Sequence, residues 1–345
     1  MINPAWCGKR DRPDVQRGMA LLTVLFILVL LSTLAVYTAE DENIAIRRAE
    51  NQRDMAQAYQ VAVAGEQWVA KALERDSLSA PSGVDYLGDE WALLDAQVVK
   101  VEDGQMVVQA VDESGKFNLN NLLVGKLVPT STPIEIQTTW YKYFTRLLGN
   151  LGLDEELADA VVDWVDEDDQ RTEPDGAEDN VYLSASPSHL AANQPFFSTA
   201  ELIQVEGFDQ NILAILQPNI TALPVDKDNA LYTKINVNTA PEAVLRSLDE
   251  DPVDGLLIEN WLLSRVTGPH DQAASLYNNW RLGIDSGEFN EIAGVSSQYF
   301  SSQSCARFGR VDIALQSLLF RNPQSEEVTV ISRQRRYNCG VSLNP

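Results

Sequence analysis

The chain has 345 residues, 45% of them apolar, enough to bury a sizeable core and, by length, to form more than one domain. Fifty Asp and Glu stand against 26 Lys and Arg, a formal charge of −24. A surface of that sign repels phosphate backbones and anionic lipid headgroups, which excludes charge-driven nucleic-acid binding.

The first element is a membrane-spanning helix. Residues 19–39 contain no charge, Pro or Gly, and 21 residues at about 1.5 Å each cross a hydrocarbon core of about 30 Å. Lys9, Arg10, Arg12 and Arg17 precede this run and Glu40, Asp41 and Glu42 follow it, so the positive-inside rule puts the N-terminus in the cytoplasm. An ordinary cleaved signal peptide fits less well, because its apolar core is about 7–15 residues and Tyr37 occupies the −3 position before Ala39. No proline follows until Pro81, and Ile44, Ala45, Met55, Ala58, Tyr59, Ala62, Val63, Trp68, Val69 and Ala72 recur close to helical spacing, so the helix is expected to continue to about residue 76.

A basic leader, Arg17-Gly18 before the apolar run, and a spanning helix with an amphipathic outer half resemble a type IV prepilin. The resemblance implies cleavage by prepilin peptidase after Gly18, leaving Met19 as the first, N-methylated residue. Most members of that superfamily carry Glu at the fifth mature position, where this chain has Thr23. That departure resembles the pseudopilin K family of type II secretion systems.

Farther along, residues 97–111 alternate apolar and polar around Asp103-Gly104, a hairpin pattern. Lys116-Phe117-Asn118-Leu119-Asn120-Asn121 then matches Lys234-Ile235-Asn236-Val237-Asn238-Thr239, an internal repeat. Thr239-Ala240-Pro241-Glu242 reads as a capping box. Ser198-Thr199-Ala200-Glu201 and Gly287-Glu288-Phe289 each read as the start of a short capped helix ending at a Gly. Two small helical units are expected, about 116–220 and 234–300. The Ile-Asn-Val-Asn-Thr-Ala phrase also resembles DNA-gripping helix-hairpin-helix modules, but Asp249, Glu250, Asp251 and Asp254 stand where phosphate grip needs Lys or Arg. In the tail, residues 306–315, 318–320 and 328–331 suggest a closing pair of strands.

Cys7 lies ahead of the spanning helix, and Cys305 and Cys339 lie near the C-terminus. In an exported domain the latter pair reads as a disulfide, the alternative being two buried thiols.

The acidity is concentrated: thirteen carboxylates and one base, Arg171, lie between Asp154 and Asp179. Asp159, Asp163 and Asp166 at helical spacing would gather at the C-terminal end of a helix, which is already partially negative, and a dication would relieve them. Hard oxygen donors with no His or Cys nearby favour calcium over zinc, although no EF-hand spacing is present. A solvated acidic loop is the alternative. Asp163-Trp164-Val165-Asp166 and Gly176-Ala177-Glu178 resemble the calcium-associated segment of the pseudopilin K family. The resemblance implies one or two calcium ions held among Asp163, Asp166, Asp168, Asp169, Asp175, Glu178 and Asp179.

Only His189 and His270 are present, neither in a nucleophile motif, and no catalytic residues are assigned. Over the whole length the order of elements resembles pseudopilin K. The implied fold is α+β: a type IV pilin-like domain, with the long N-terminal helix packed on an antiparallel sheet, formed by residues 40–115 and 301–345. A large all-α domain of two helix-hairpin-helix or SAM-like units is inserted at 116–300, and residues 1–18 are the leader. The implied role is non-enzymatic: at the tip of a periplasmic pseudopilus, initiating or capping its assembly for export of folded proteins across the outer membrane, with the chain anchored by one span in the bacterial inner membrane. The implied partners are other minor pseudopilins, prepilin peptidase, the inner-membrane secretion platform and secreted substrates, without nucleic acid. The competing readings are a tip protein of a pilus or DNA-uptake system and a membrane-anchored periplasmic hydrolase using paired acids such as Asp163 and Asp166.

Overall fold

The computed structural model describes residues 15–78, 83–94, 98–102, 104–124, 139–225, 232–250, 253–336 and 339, apart from the side chains of residues 15–18, 124 and 139. Lys9, Arg10 and Arg12 of the leader, Cys7, Asp103 and Asp251 lie outside the described residues.

Helix α1 runs unbroken over Val15–Ser77, 63 residues or about 95 Å. Its two halves have opposite surroundings. Apolar side chains from Met19 to Tyr37 are 50–68% exposed, whereas Ala58, Ala62, Val69, Ala72 and Leu73 are fully buried. Those five follow one another at steps of four, seven, three and one, which keeps them on one stripe of a helix laid across a sheet. Among the described residues, α1 is the one helix long and apolar enough to cross a membrane.

Strand β1 (Val99–Val101) and strand β2 (Gly104–Asp112) form the expected antiparallel hairpin. The chain then leaves the sheet for nearly 190 residues. The excursion comprises β3 (Phe117–Asn118), α2 (Asn121–Val124), α3 (Thr139–Asn150), α4 (Leu157–Val165), α5 (Asp179–Tyr182), a 3-10 turn (Thr199–Gln204), α6 (Gln210–Leu216) and β4 (Ile220–Thr221). It continues through β5 (Ile235–Asn236), α7 (Glu242–Arg246), α8 (Gly255–Thr267), α9 (Ala274–Trp280), α10 (Ser286–Ile292) and β6 (Ala293–Gly294). Strands β7 (Tyr299–Phe308), β8 (Val311–Arg321) and β9 (Val328–Arg336) return to the first sheet, in the order β1-β2-β7-β8-β9, antiparallel throughout. Helix α1 packs across β2, β7 and β8. Three tail strands replace the closing pair read from the sequence. The segment 306–315 is split by a tight reversal at Gly309, whose φ of +56° few other residues adopt without cost.

The two copies of the repeated phrase make the same bonds. Asn120 accepts from Phe196 N at 2.7 Å and donates to Phe196 O at 3.0 Å; Asn238 does both to His270, each at 3.1 Å. A short side-chain amide can satisfy the N–H and C=O of one residue together, which explains the residue type. Each copy is closed by a two-residue parallel bridge, Phe117–Asn118 with Ile220–Thr221 and Ile235–Asn236 with Ala293–Gly294. The capping box at Ser198 and Glu201 is present but heads a 3-10 turn. The one expected at Thr239 is absent. Pro241 occupies the N-cap of α7 without a side-chain cap, and Thr239 Oγ1 instead donates to Asp112 Oδ2 at 2.5 Å, because a buried carboxylate competes for the hydroxyl.

Cys305 and Cys339 are buried thiols in one small cluster with Val107 and Ala314, Cys305 Sγ lying 3.4 Å from Cys339 O. On the opposite face of β7, Gly65 of α1 sits so close to the sheet that a Cβ there would lie 2.2 Å from Ser304 Oγ and 2.9 Å from Met106 Sδ. The Ser304 hydroxyl is buried without a hydrogen-bond partner. Ser304→Ala removes that desolvated group while keeping the close approach, and is expected to stabilise the chain by about 1 kcal/mol. An unchanged or lowered urea midpoint would contradict this.

Candidate metal centre

Helix α4 is buried along nearly its whole length, and its acids follow from its packing against α3. Asp159 and Asp163 are fully buried, so their oxygens need donors. Asp159 accepts from Tyr141 Oη of α3 at 2.5 Å and from Asp175 N at 3.2 Å. Both oxygens of Asp163 accept from Thr172 N, at 3.1 and 3.0 Å. These two carboxylates tie the segment after α4 back onto the helix. Gly176 is part of the tie: its N–H donates to Thr172 O at 2.8 Å, and a Cβ there would stand 2.1 Å from Asp163 Oδ2. Glycine is demanded by close approach.

Beyond the last turn, Asp166 caps α4 and accepts from Asp168 N at 3.3 Å, and Asp168 accepts from Gln170 N at 2.8 Å. This tight winding turns Asp166 and Asp168 toward Glu178, the residue before α5. The three carboxylates each offer an oxygen within 4.8 Å of the others, with Asp166 and Glu178 buried and Asp168 exposed. Beneath them Trp164 and Tyr182 meet edge to face at 5.1 Å, and Tyr182 contacts His189 at 5.1 Å, fixing the end of α4 to the start of α5.

Of the seven residues expected from the sequence, the structure therefore gathers Asp166, Asp168 and Glu178. Asp163 holds Thr172, and Asp179 accepts from Ala191 N at 2.9 Å and opens α5. Asp175 is 3.9 Å from Arg171, and Asp169 is exposed; neither joins the group. Asp159, grouped by spacing with Asp163 and Asp166, lies in the first turn of α4 and is occupied by Tyr141. Neither Tyr141 nor Thr172 is signalled by a sequence pattern, since one donates from another helix and the other through its backbone.

Negative charge is in surplus here. Arg171 donates to Pro174 O at 2.8 Å and faces Asp175. At the rim the carboxyl of Glu156 is held above its ordinary value, first by a hydrogen bond with Asp175 and then by the charges of Asp175 and Asp154. The donor set suits a hard dication. Three carboxylates with no His or Cys among them are the hard oxygen donors that calcium takes, and their oxygens, all within 4.8 Å of one another, are near enough to share one ion.

The family model described as "Type II secretion system (T2SS), protein K" matches residues 115–225, which include this centre. Type II secretion system protein K of Aeromonas hydrophila is 32% identical over 335 residues, covering 94% of this chain and 98% of that protein. The protein of the same name from Pseudomonas aeruginosa is 34% identical over 247 residues, 69% of each chain. Among solved structures, a chain of the GspK-GspI-GspJ complex from the enterotoxigenic Escherichia coli type 2 secretion system has a similar fold. Its TM-score is 0.70 at 22% identity, covering 84% of this chain and all of that one. With an unbroken apolar helix ahead of an antiparallel sheet, a helical excursion between β2 and β7, and relatives matched nearly end to end, this chain belongs to the type II secretion system protein K family.

Proposed function

We propose that the chain is a non-enzymatic minor pseudopilin at the tip of the periplasmic pseudopilus, where it initiates assembly with other minor pseudopilins for the export of folded proteins. The observation that carries this is the division of α1. Its first half offers a bare apolar surface from Met19 to Tyr37 and its second half is welded to the sheet, so one helix serves as membrane anchor before assembly and as packing surface within a fibre afterwards. The sheet with α1 plays the part of the pilin-like domain, and the inserted helical units form its head. The anchor is a single span with the N-terminus in the cytoplasm.

Thr23 fits the tip. Its hydroxyl donates to Ala20 O of its own helix at 2.9 Å, so the fifth residue after Gly18 presents no carboxylate to a subunit above. The Met19 amine remains available to a subunit below. The Escherichia coli relative was crystallised with GspI and GspJ, and two corresponding minor pseudopilins are the partners proposed here, engaged through α1 and the sheet. Calcium at Asp166, Asp168 and Glu178 and a disulfide between Cys305 and Cys339 after export belong to the same reading.

Co-expression with a prepilin peptidase tests it. Intact mass is expected to show loss of residues 1–18 and a methylated amine on Met19, and Gly18→Leu is expected to stay uncut. An unprocessed wild-type chain, or cleavage after Ala39, would overturn the assignment.

A further inference from the structure

Where the helical insert leaves the sheet and returns to it, several segments meet around one buried cation. Arg321, the last residue of β8, places Nη2 2.6 Å from each carboxylate oxygen of Asp85 and 2.8 Å from Ser297 O. Asp76, at the end of α1, is 3.9 Å from the same guanidinium, and Glu326 is 4.0 Å away. Asp85 also accepts from Ser297 N at 2.6 Å. Asp112, the last residue of β2, accepts from Ser297 Oγ at 2.6 Å, Thr239 Oγ1 at 2.5 Å and Asn236 Nδ2 at 3.2 Å. Asn236 reaches on to Asp85 O and Ser297 Oγ. The insert is thus bonded to the sheet, to α1 and to the segment after α1 through a single polar hub.

Charge in the hub does not balance. Oxygens of Asp76, Asp85 and Asp89 lie within 4.8 Å of one another, with the Arg321 guanidinium against Asp85 and 3.9 Å from Asp76. Facing Asp76 are Asp85, Asp89, Glu90 and Arg321, and Glu90 is itself bound to Arg75 at 2.5 Å. Burial, aided by Asp89 and Asp85, pushes Asp76 up to about 7. Burial also pushes Asp89 and Asp112 up to about 6 each, against the donated bonds of Tyr86 N on Asp89 and of Ser297 and Thr239 on Asp112.

We propose that this hub is a proton-operated latch: protonation of its surplus carboxylates holds the helical insert hard against the sheet, and their ionisation loosens the joint. A carboxyl raised in the closed joint binds its proton more tightly there than when water reaches it in the open joint. Closure is therefore favoured as pH falls through 7, and the advantage is lost as pH rises through 7. The consequence in a fibre is a head whose angle is set rigidly in mildly acidic surroundings and freed in alkaline ones.

The test is hydrogen exchange in the full chain in detergent at fixed calcium. The amides of Asp85 and Asn236 bond to Val295 O and Ser114 O, and that of Ser297 bonds to the Asp85 carboxylate, so all three report on the joint. After correction for intrinsic rates, their protection is expected to fall about tenfold between pH 6 and pH 8, the change given by one proton bound near pH 7. Amides in the β2–β7 ladder serve as the reference and are expected to stay level. Asp76→Asn, alone or with Asp89→Asn, is expected to hold protection high at both pH values. Equal protection of the wild-type joint at pH 6 and 8, or an undiminished fall in Asp76→Asn, would overturn the proposal.

Discussion

Arg321→Leu lowers stability by about 3–5 kcal/mol in urea unfolding of the detergent-solubilised chain, the expected cost of stranding a buried carboxylate. Arg321 is 5% exposed and Asp85 1%. The pair is doubly bonded, and its removal also deprives Ser297 O of a donor. The guanidinium also stands 5.1 Å from the centre of the Phe300 ring, a cation–π contact that leucine cannot replace. Lysine is expected to recover only part of the loss, because a single ammonium can replace the contacts of Nη2 but not those of Nη1 and Nε toward Asp76 and Glu326. Trp91 offers a local readout: its ring meets Phe300 at 5.2 Å and its Nε1 donates to Asp89 at 3.3 Å. A loss below about 1 kcal/mol, the range of exposed ion pairs, would show that water reaches Asp85. For comparison, Arg333 on β9 binds the buried Glu66 of α1 at 2.5 Å but is itself 38% exposed, so its loss leaves Glu66 nearer to solvent.

The hub also marks where reading the sequence stops. Helix α1 was legible because its pattern is local: an uncharged run long enough for a membrane, then small apolar residues three and four apart. The repeat was legible because two copies of one phrase stand in the same chain, and the structure shows Asn120 and Asn238 doing the same work. Arg321 and Asp85 are 236 positions apart, and nothing near either names the other. The same limit explains Thr239. As a local pattern Thr-Ala-Pro-Glu caps a helix, but Asp112, 127 positions earlier, takes the hydroxyl. At the acidic centre, density of charge singled out the segment, and of the three acids grouped by helical spacing, Asp159, Asp163 and Asp166, it is Asp166 that the fold sets beside Asp168 and Glu178. Asp159 and Asp163 share the face of α4 on which the loop folds back, and there they accept from the backbone of Asp175 and Thr172. The residues that converge are those beyond the helix, where the turn at Asp166 and Asp168 can bring them to Glu178.

That distinction sets the expected result for calcium. Titrated into the chelator-treated chain, calcium is expected to raise the melting temperature, adding about 4 kcal/mol at a thousandfold excess over its dissociation constant. The gain arises because the folded state alone brings Asp166, Asp168 and Glu178 within 4.8 Å, so the ion binds that state and relieves its repulsion. Asp166→Asn with Glu178→Gln is expected to abolish the shift, since it removes two of the three carboxylates brought together there. Asp169→Asn and Asp175→Asn are expected to leave the shift in place, because neither side chain joins the group. Asp163→Asn is expected to lower stability with and without calcium alike, since Asp163 acts on Thr172 N and the close-packed Gly176. Magnesium is expected to give a smaller shift than calcium, as it demands octahedral geometry and gives up its waters reluctantly. No shift at millimolar calcium would remove the cation from the proposal, leaving the fold of the segment to Asp159, Asp163 and their backbone donors alone. An equal loss of the shift in Asp169→Asn would place the ion farther out along the loop than the geometry of Asp166, Asp168 and Glu178 allows.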